Sequence, residues 1–194
     1  MIYESGATYH IYNRSNENIF YKRENYFYFL RNVKKHILPY ADILSYCLMP
    51  NHFHFLLVVN EKGVKVSTKN FKEGVQLLPK SIGTMLSSHT QAINKQEKRK
   101  GSLFAHTTKA KMLNETKNDY LLQCFMYIHQ NPILAELVEK LEDWEFSSYP
   151  DYIGKRNGKL VNKELALGML NIDINDVEFI TNKLLFDKVD EDFI

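Results

Sequence analysis

The chain has 194 residues, 44% hydrophobic and 25% charged, enough apolar material for one well-buried core. Its two cysteines, Cys47 and Cys124, lie far apart in apolar runs, which excludes a disulfide framework and a thiolate zinc site. No run approaches the roughly 18 apolar residues of a membrane helix, and residues 1–10 lack a signal-peptide pattern, so the expectation is a cytoplasmic protein.

The formal charge of +2 is unevenly spread. Residues 61–111 carry eleven bases against three acids, a net of +8, whereas from residue 133 onward seven bases face fourteen acids, a net of −7. The middle suits a polyanion; the tail, ending in Asp187, Asp190, Glu191 and Asp192, does not. Lysine-rich stretches also serve as plain solvated faces, and the 12 Tyr and 12 Phe suit either a dense core or stacking on bases.

In chain order, residues 8–12 read as a first strand and 13–18 as a polar loop. Apolar residues recur at helical spacing over 23–37 until Pro39 stops them. Residues 41–49 and 52–59 are strand-like runs joined by the turn dipeptide Pro50-Asn51, an antiparallel hairpin. Residues 61–79 read as an irregular loop, 81–98 as a second helix and 109–113 as a further strand. Asn118 or Asp119 caps a helix that Pro132 interrupts, and a short helix over 133–141 follows. Beyond an aromatic turn-rich segment, weaker helical patterns cover 164–170 and 177–186. This order predicts an α+β fold with helices on one face of an antiparallel sheet, of the split βαβ kind.

Two clusters carry chemistry. In His52-Phe53-His54 side chains alternate along a strand, so both imidazoles share a face about 7 Å apart, within reach of one cation. Histidine pairs on strands also occur without metals. In Tyr127-Ile-His-Gln-Asn131-Pro132 the i, i+4 spacing stacks the Tyr127 hydroxyl and the Asn131 amide on one helix face. A tyrosine beside a cation-polarised phosphate can attack it in line, and the Asn131 oxygen can complete a His, His, Asn site for magnesium or manganese. Alone, Tyr127 also fits an ordinary core tyrosine. His10, His36, His89 and His129 read as surface or satisfied core residues, and so does His106, although it lies in the basic segment.

The turn Leu48-Met49-Pro50-Asn51 leading into His52-Phe53-His54, followed some seventy residues later by Tyr127-x-x-x-Asn131-Pro132, resembles the HUH-type tyrosine transposases. Within them the chain is most similar to the REP-associated branch of the insertion-sequence-200-like superfamily. Tyr9-His10-Ile11, Asn13-Arg14, Gly101-Ser102-Leu103-Phe104 and Trp144-Glu145-Phe146 add to the likeness, which spans residues 8–154. It implies a ferredoxin-like catalytic domain over 1–154, with 155–194 as a small helical C-terminal extension. His52, His54 and Asn131 would hold Mg2+ or Mn2+, and Tyr127 would cleave single-stranded or hairpin DNA, leaving a 5′-phosphotyrosine and a 3′-hydroxyl. Arg14, Lys95, Lys98, Arg99, Lys100, Lys109 and Lys111 are the candidate DNA contacts. After Leu103-Phe104 the family commonly has a base where this chain has His106, Thr107 and Thr108. The branch is more often monomeric, so a monomer is expected, with a dimer as the alternative. A hairpin or single-strand DNA-binding protein that keeps the fold without the transposition cycle is the competing reading.

Overall fold

The computed structural model describes residues 2–68, 74–105, 107–113 and 118–183. His106, Lys69, Lys72 and the acidic cluster at 187–192 lie outside the described residues.

Four strands, β1 (Thr8–Arg14), β2 (Ala41–Met49), β3 (His52–Val59) and β4 (Lys109–Leu113), form one antiparallel sheet in the order β2-β3-β1-β4. Helix α1 (Arg23–His36) connects β1 to β2, and α2 (Leu77–Gln96) connects β3 to β4. This is the ferredoxin-like arrangement expected from the sequence. The start of α1 shows how local chemistry sets a boundary. The Asn25 side chain reaches back to accept from the backbone N–H groups of Tyr21 and Lys22, at 3.0 and 2.9 Å, satisfying donors that a helix start leaves open.

Alternation along β3 sorts its side chains between two environments. Phe53 and Phe55 meet Phe29 of α1, with ring centroids 5.3 and 6.4 Å apart, so α1 and its neighbour α2 cover that face. The opposite face, bearing His52 and His54, is covered by α3 (Asn118–Leu134), which packs on β2 and β3. Helices therefore lie on both faces, not on one as the split βαβ pattern predicts, because α3 follows the complete βαββαβ unit and folds back over the sheet.

Prolines account for two shifted boundaries. Helix α2 starts at Leu77, inside the predicted loop, because Pro79 sits in its first turn, where a missing N–H costs nothing. Helix α3 continues through Pro132 to Leu134, and the separate helix predicted over 133–141 does not form. Close to a helix end the one lost bond is tolerable. The chain then turns, with Ala135 and Leu137 donating to the carbonyls of Asn131 and Pro132 and Glu136 at φ 55°, before a 3-10 turn at Leu141–Asp143.

Residues 144–148 pair with the outer edge of β2: Leu48 N–H donates to Phe146 O and Ser148 N–H to Tyr46 O, both at 2.9 Å. Three short helices follow, α4 (Tyr149–Tyr152), α5 (Lys163–Leu170) and α6 (Val177–Lys183). Val161, Ala166, Leu170 and Val177 join the main hydrophobic core. Asn162 N–H donates to Ile43 O at 2.8 Å, and Arg156 forms a two-pronged ion pair, 2.8 Å per prong, with the buried Asp151. Among the described residues no helix is long and apolar enough to cross a membrane.

Candidate active site

Strand pairing brings the site together. Arg14 lies opposite His52 and Tyr12 opposite His54, so β1 presents His10 and Tyr12 to the same face as the two histidines of β3. Helix α3 sets Tyr127 and Asn131 over that face. The result is a pocket of about 140 Å³ lined by Tyr12, Arg14, His52, His54, Lys109 and Tyr127, with Asn13 and Thr107 on its wall.

His52 is held at both ring nitrogens. Nδ1 is 2.7 Å from Asn51 Oδ1, and Nε2 is 3.4 Å from Asn131 Oδ1. A neutral imidazole has one proton, and the shorter contact takes it, so Nδ1–H donates to Asn51 and Nε2 is bare. The Asn131 amide is oriented independently, since its Nδ2 donates to Tyr127 O at 2.8 Å and leaves Oδ1 toward His52. Two lone pairs therefore face each other. Beside them His54, 3% exposed, turns Nδ1 to His10 Nε2 at 2.9 Å, while its buried Nε2 has no hydrogen-bond partner among the described residues.

Burial holds all these imidazoles neutral. It lowers His52 to about 4, against the Asn131 amide oxygen, which would accept from the charged ring, and with the Arg14 charge adding to the lowering; it takes His54 well below its ordinary value, reinforced by His10, His52 and Arg14. His10 falls to about 3 through burial and the Lys111 charge. Burial raises Tyr127 to about 12, against a lowering hydrogen bond from Asn131, so its hydroxyl is protonated at neutral pH.

A bare nitrogen alone identifies nothing. His89 and His129 also each leave Nδ1 unpartnered in the core. Their Nε2 atoms are tied to Ile19 O at 2.8 Å and Ser148 Oγ at 2.7 Å, and aromatic rings enclose both. What distinguishes His54 is that it lines a cavity shared with His52, next to the Asn131 oxygen. Among the described residues no three His, Cys, Asp or Glu side chains form a metal-holding group, so any cation here relies on the amide as its third protein donor.

The basic residues separate by position. Arg14 and Lys109 line the pocket, and Lys111 bonds the Tyr120 hydroxyl at 2.6 Å, one strand over from His10. Lys95, Lys98, Arg99 and Lys100 lie at the far end of α2, where Arg99 is engaged by Glu17 and by Asn94 Oδ1. Between the two groups runs a second cleft of about 500 Å³, lined by Gln91, Asn94, Phe104 and Thr108 and sharing Asn13 and Thr107 with the pocket.

His10, Tyr12 and Asn51 belong to the site although their residue types did not announce it. His10 and Tyr12 alternate with Tyr9 and Ile11, which places them on one face, but only the β1–β3 register shows that this is the histidine face. The three rings of Tyr12, His10 and His54 stack, with centroids 4.9 to 5.8 Å apart.

No protein-family model and no curated protein sequence matches the chain. Among solved structures it is similar to a REP-associated tyrosine transposase bound to a REP hairpin, with a TM-score of 0.57 at 14% identity, covering 84% of this chain and 92% of that one. Two complexes of a bacterial tRNA(His) guanylyltransferase-like protein, with GTP and with ATP, give TM-scores of 0.41 and 0.42 at 11% and 10% identity. They cover 71% and 96% of this chain, and 70% and 94% of theirs. The fold is thus shared with the transposase at low sequence identity.

Proposed function

We propose that the protein nicks and rejoins single-stranded or hairpin DNA through a covalent 5′-phosphotyrosine on Tyr127, at a divalent-cation site formed by His52, His54 and Asn131. The observation that carries this reading is the meeting of His52 Nε2 with Asn131 Oδ1 in the pocket that His54 also lines, His54 having a buried Nε2 with no hydrogen-bond partner among the described residues, beside Tyr127, whose backbone carbonyl fixes that amide. Facing lone pairs repel, and a cation relieves the repulsion. Two imidazoles and a neutral amide oxygen suit Mn2+ or Mg2+ with open positions for phosphate and water. When bound, such an ion neutralises phosphate charge and makes the phosphorus more electrophilic.

The remaining work falls to the chain's own groups. Arg14 and Lys109 supply positive charge at the pocket wall for the backbone phosphate. With its pKa near 12, Tyr127 enters as a phenol and gives up its proton as Oη closes on phosphorus. The P–O bond to the 3′ side breaks, the departing oxygen ends as a 3′-hydroxyl, and the 5′ phosphate stays on Tyr127. Rejoining is the reverse attack by a 3′-hydroxyl. The fold shared with a hairpin-bound transposase supports DNA as the partner.

Single-stranded oligonucleotides carrying hairpins, incubated with Mg2+ or Mn2+, should give a protein–DNA adduct that survives denaturation. Tyr127→Phe should bind the same DNA and give none, while Tyr12→Phe, which alters the other pocket tyrosine, should still give it. Adduct from the Tyr127 variant would move the nucleophile elsewhere. Tight binding by the wild type with no adduct on any substrate would favour a DNA-binding protein over an enzyme.

A further inference from the structure

We propose that His10 is a positioning residue that holds the proton of His54 on Nδ1, so that His54 Nε2 meets the cation as a bare nitrogen. This rests on the metal reading above. The contact that defines the pair is His10 Nε2 to His54 Nδ1, 2.9 Å, between side chains 1% and 3% exposed. Two ring nitrogens this close need one proton between them, and it can belong to either ring. If His54 owns it, Nδ1–H donates to His10 and Nε2 is free to ligate. If His10 owns it, the proton of His54 must sit on Nε2 and point where the cation belongs. Among the described residues His54 Nδ1 has no other hydrogen-bond partner, so whether the ligand is competent depends on whether His10 accepts.

Ligating histidines usually give their second N–H to a carboxylate, a carbonyl or water. Here the acceptor is an imidazole whose other nitrogen, Nδ1, is buried with no hydrogen-bond partner among the described residues. Lys111 stands opposite His10 across the β1–β4 ladder, where its charge disfavours a second positive charge and so favours Nε2 as an acceptor. Stacking of His10 on Tyr12 at 4.9 Å and on His54 at 5.1 Å fixes its plane, and the Tyr127 ring stands edge-on to both histidines, at 6.4 and 5.6 Å. One residue outside the donor set thus orients a ligand and borders the nucleophile.

The test compares wild type, His10→Leu and His10→Gln by Mg2+ and Mn2+ titration, with nitrogen-15 NMR of the His54 ring in the Mg2+-loaded protein. Leucine removes the acceptor, whereas the Gln amide oxygen can reach the position of His Nε2. The leucine variant should bind metal about 10–100-fold more weakly, the glutamine variant should recover most of that loss, and loaded wild type should show His54 protonated on Nδ1. Wild-type affinity in the leucine variant, or a His54 proton on Nε2 in the loaded wild type, would overturn the proposal. If the leucine variant does not fold, the wild-type spectrum and the glutamine variant decide in the same terms. Failure of the wild type to bind either metal would instead bring down the metal reading, and His10 with it.

Discussion

The two faces of the sheet are built by the same strands and behave as different materials. On the α1 and α2 face, Phe53 and Phe55 pack against Phe29, which meets His89 edge-on, and the His89 Nε2–H is spent on a backbone carbonyl. On the α3 face, one residue away along β3, His52 turns Nε2 to an amide oxygen and His54 has a buried Nε2 with no hydrogen-bond partner among the described residues, both side chains lining a cavity. A buried polar group left unsatisfied costs stability, and natural cores rarely accept several together. The difference lies in the surroundings: the unpartnered His89 Nδ1 is enclosed by aromatic rings, whereas His54 lines a cavity.

Neighbouring substitutions on β3 break this comparison most directly. His54→Ala should abolish metal-dependent nicking and weaken metal binding more than the roughly 10–100-fold typical of outer-shell changes, while its urea midpoint reflects a cost of about 1 kcal/mol. Nicking by this variant at the wild-type rate would remove the site. Phe53→Ala should do the opposite, losing about 3–5 kcal/mol in urea unfolding, with residual activity in the fraction that stays folded. Equal stability losses from the two would mean that the faces are not distinct.

Acid tests where the faces agree. His89 and His129 are lowered by burial to about 4 and about 3, below the unfolded value near 6.5. Above that value neither state takes up a proton, and stability is flat with respect to these groups. As pH falls below it, the unfolded chain gains protons that the folded protein refuses. Stability should therefore drop between about pH 6.5 and 4, by up to about 1.4 kcal/mol per pH unit for each such histidine. Urea midpoints measured through that window should fall for the wild type and fall less steeply for His129→Gln; identical slopes would show that His129 does not titrate as buried.

The smallest effect concerns phosphate contacts. Arg14→Ala and Lys109→Ala, at the pocket, should each lower the salt slope of single-strand DNA binding by about 0.7, as should each lysine of a Lys98→Ala, Lys100→Ala pair if DNA runs on to the end of α2. An unchanged slope in the lysine pair would confine binding to the pocket and make the Lys98 to Lys100 run a solvated helix end.

What the sequence announced, and what it withheld, follows the range of the interaction. The bounds of β2 and β3 were legible because alternation and the Pro50-Asn51 turn are local, and His52, His54, Tyr127 and Asn131 share faces through spacing along single elements. Reading residues 61–79 as loop and Pro132 as a break misjudged the start of α2 and the end of α3, since the cost of a proline depends on its distance from a terminus, which tertiary packing sets. His10 and Tyr12 were passed over for a different reason. A lone histidine in a strand gains meaning only from its neighbour across the ladder, and the β1–β3 register is not written in either strand alone. The second helical layer was missed likewise, because nothing within α3 says which face it will cover.

The covering of the β2 edge by residues 144–148 has a consequence for self-association. An exposed strand edge is a template for another strand, the commonest accidental route by which sheets join across molecules. Here the backbone groups of Tyr46 and Leu48 are already paired with Phe146 and Ser148, and the Trp144 indole N–H caps Leu48 O at 3.0 Å. A second copy could extend the sheet on this side only after stripping that segment away. The opposite border is β4, five residues long and carrying Lys109 and Lys111, a short and charged edge that resists strand addition. Contact between copies is thereby steered away from both borders of the sheet and toward helical surfaces.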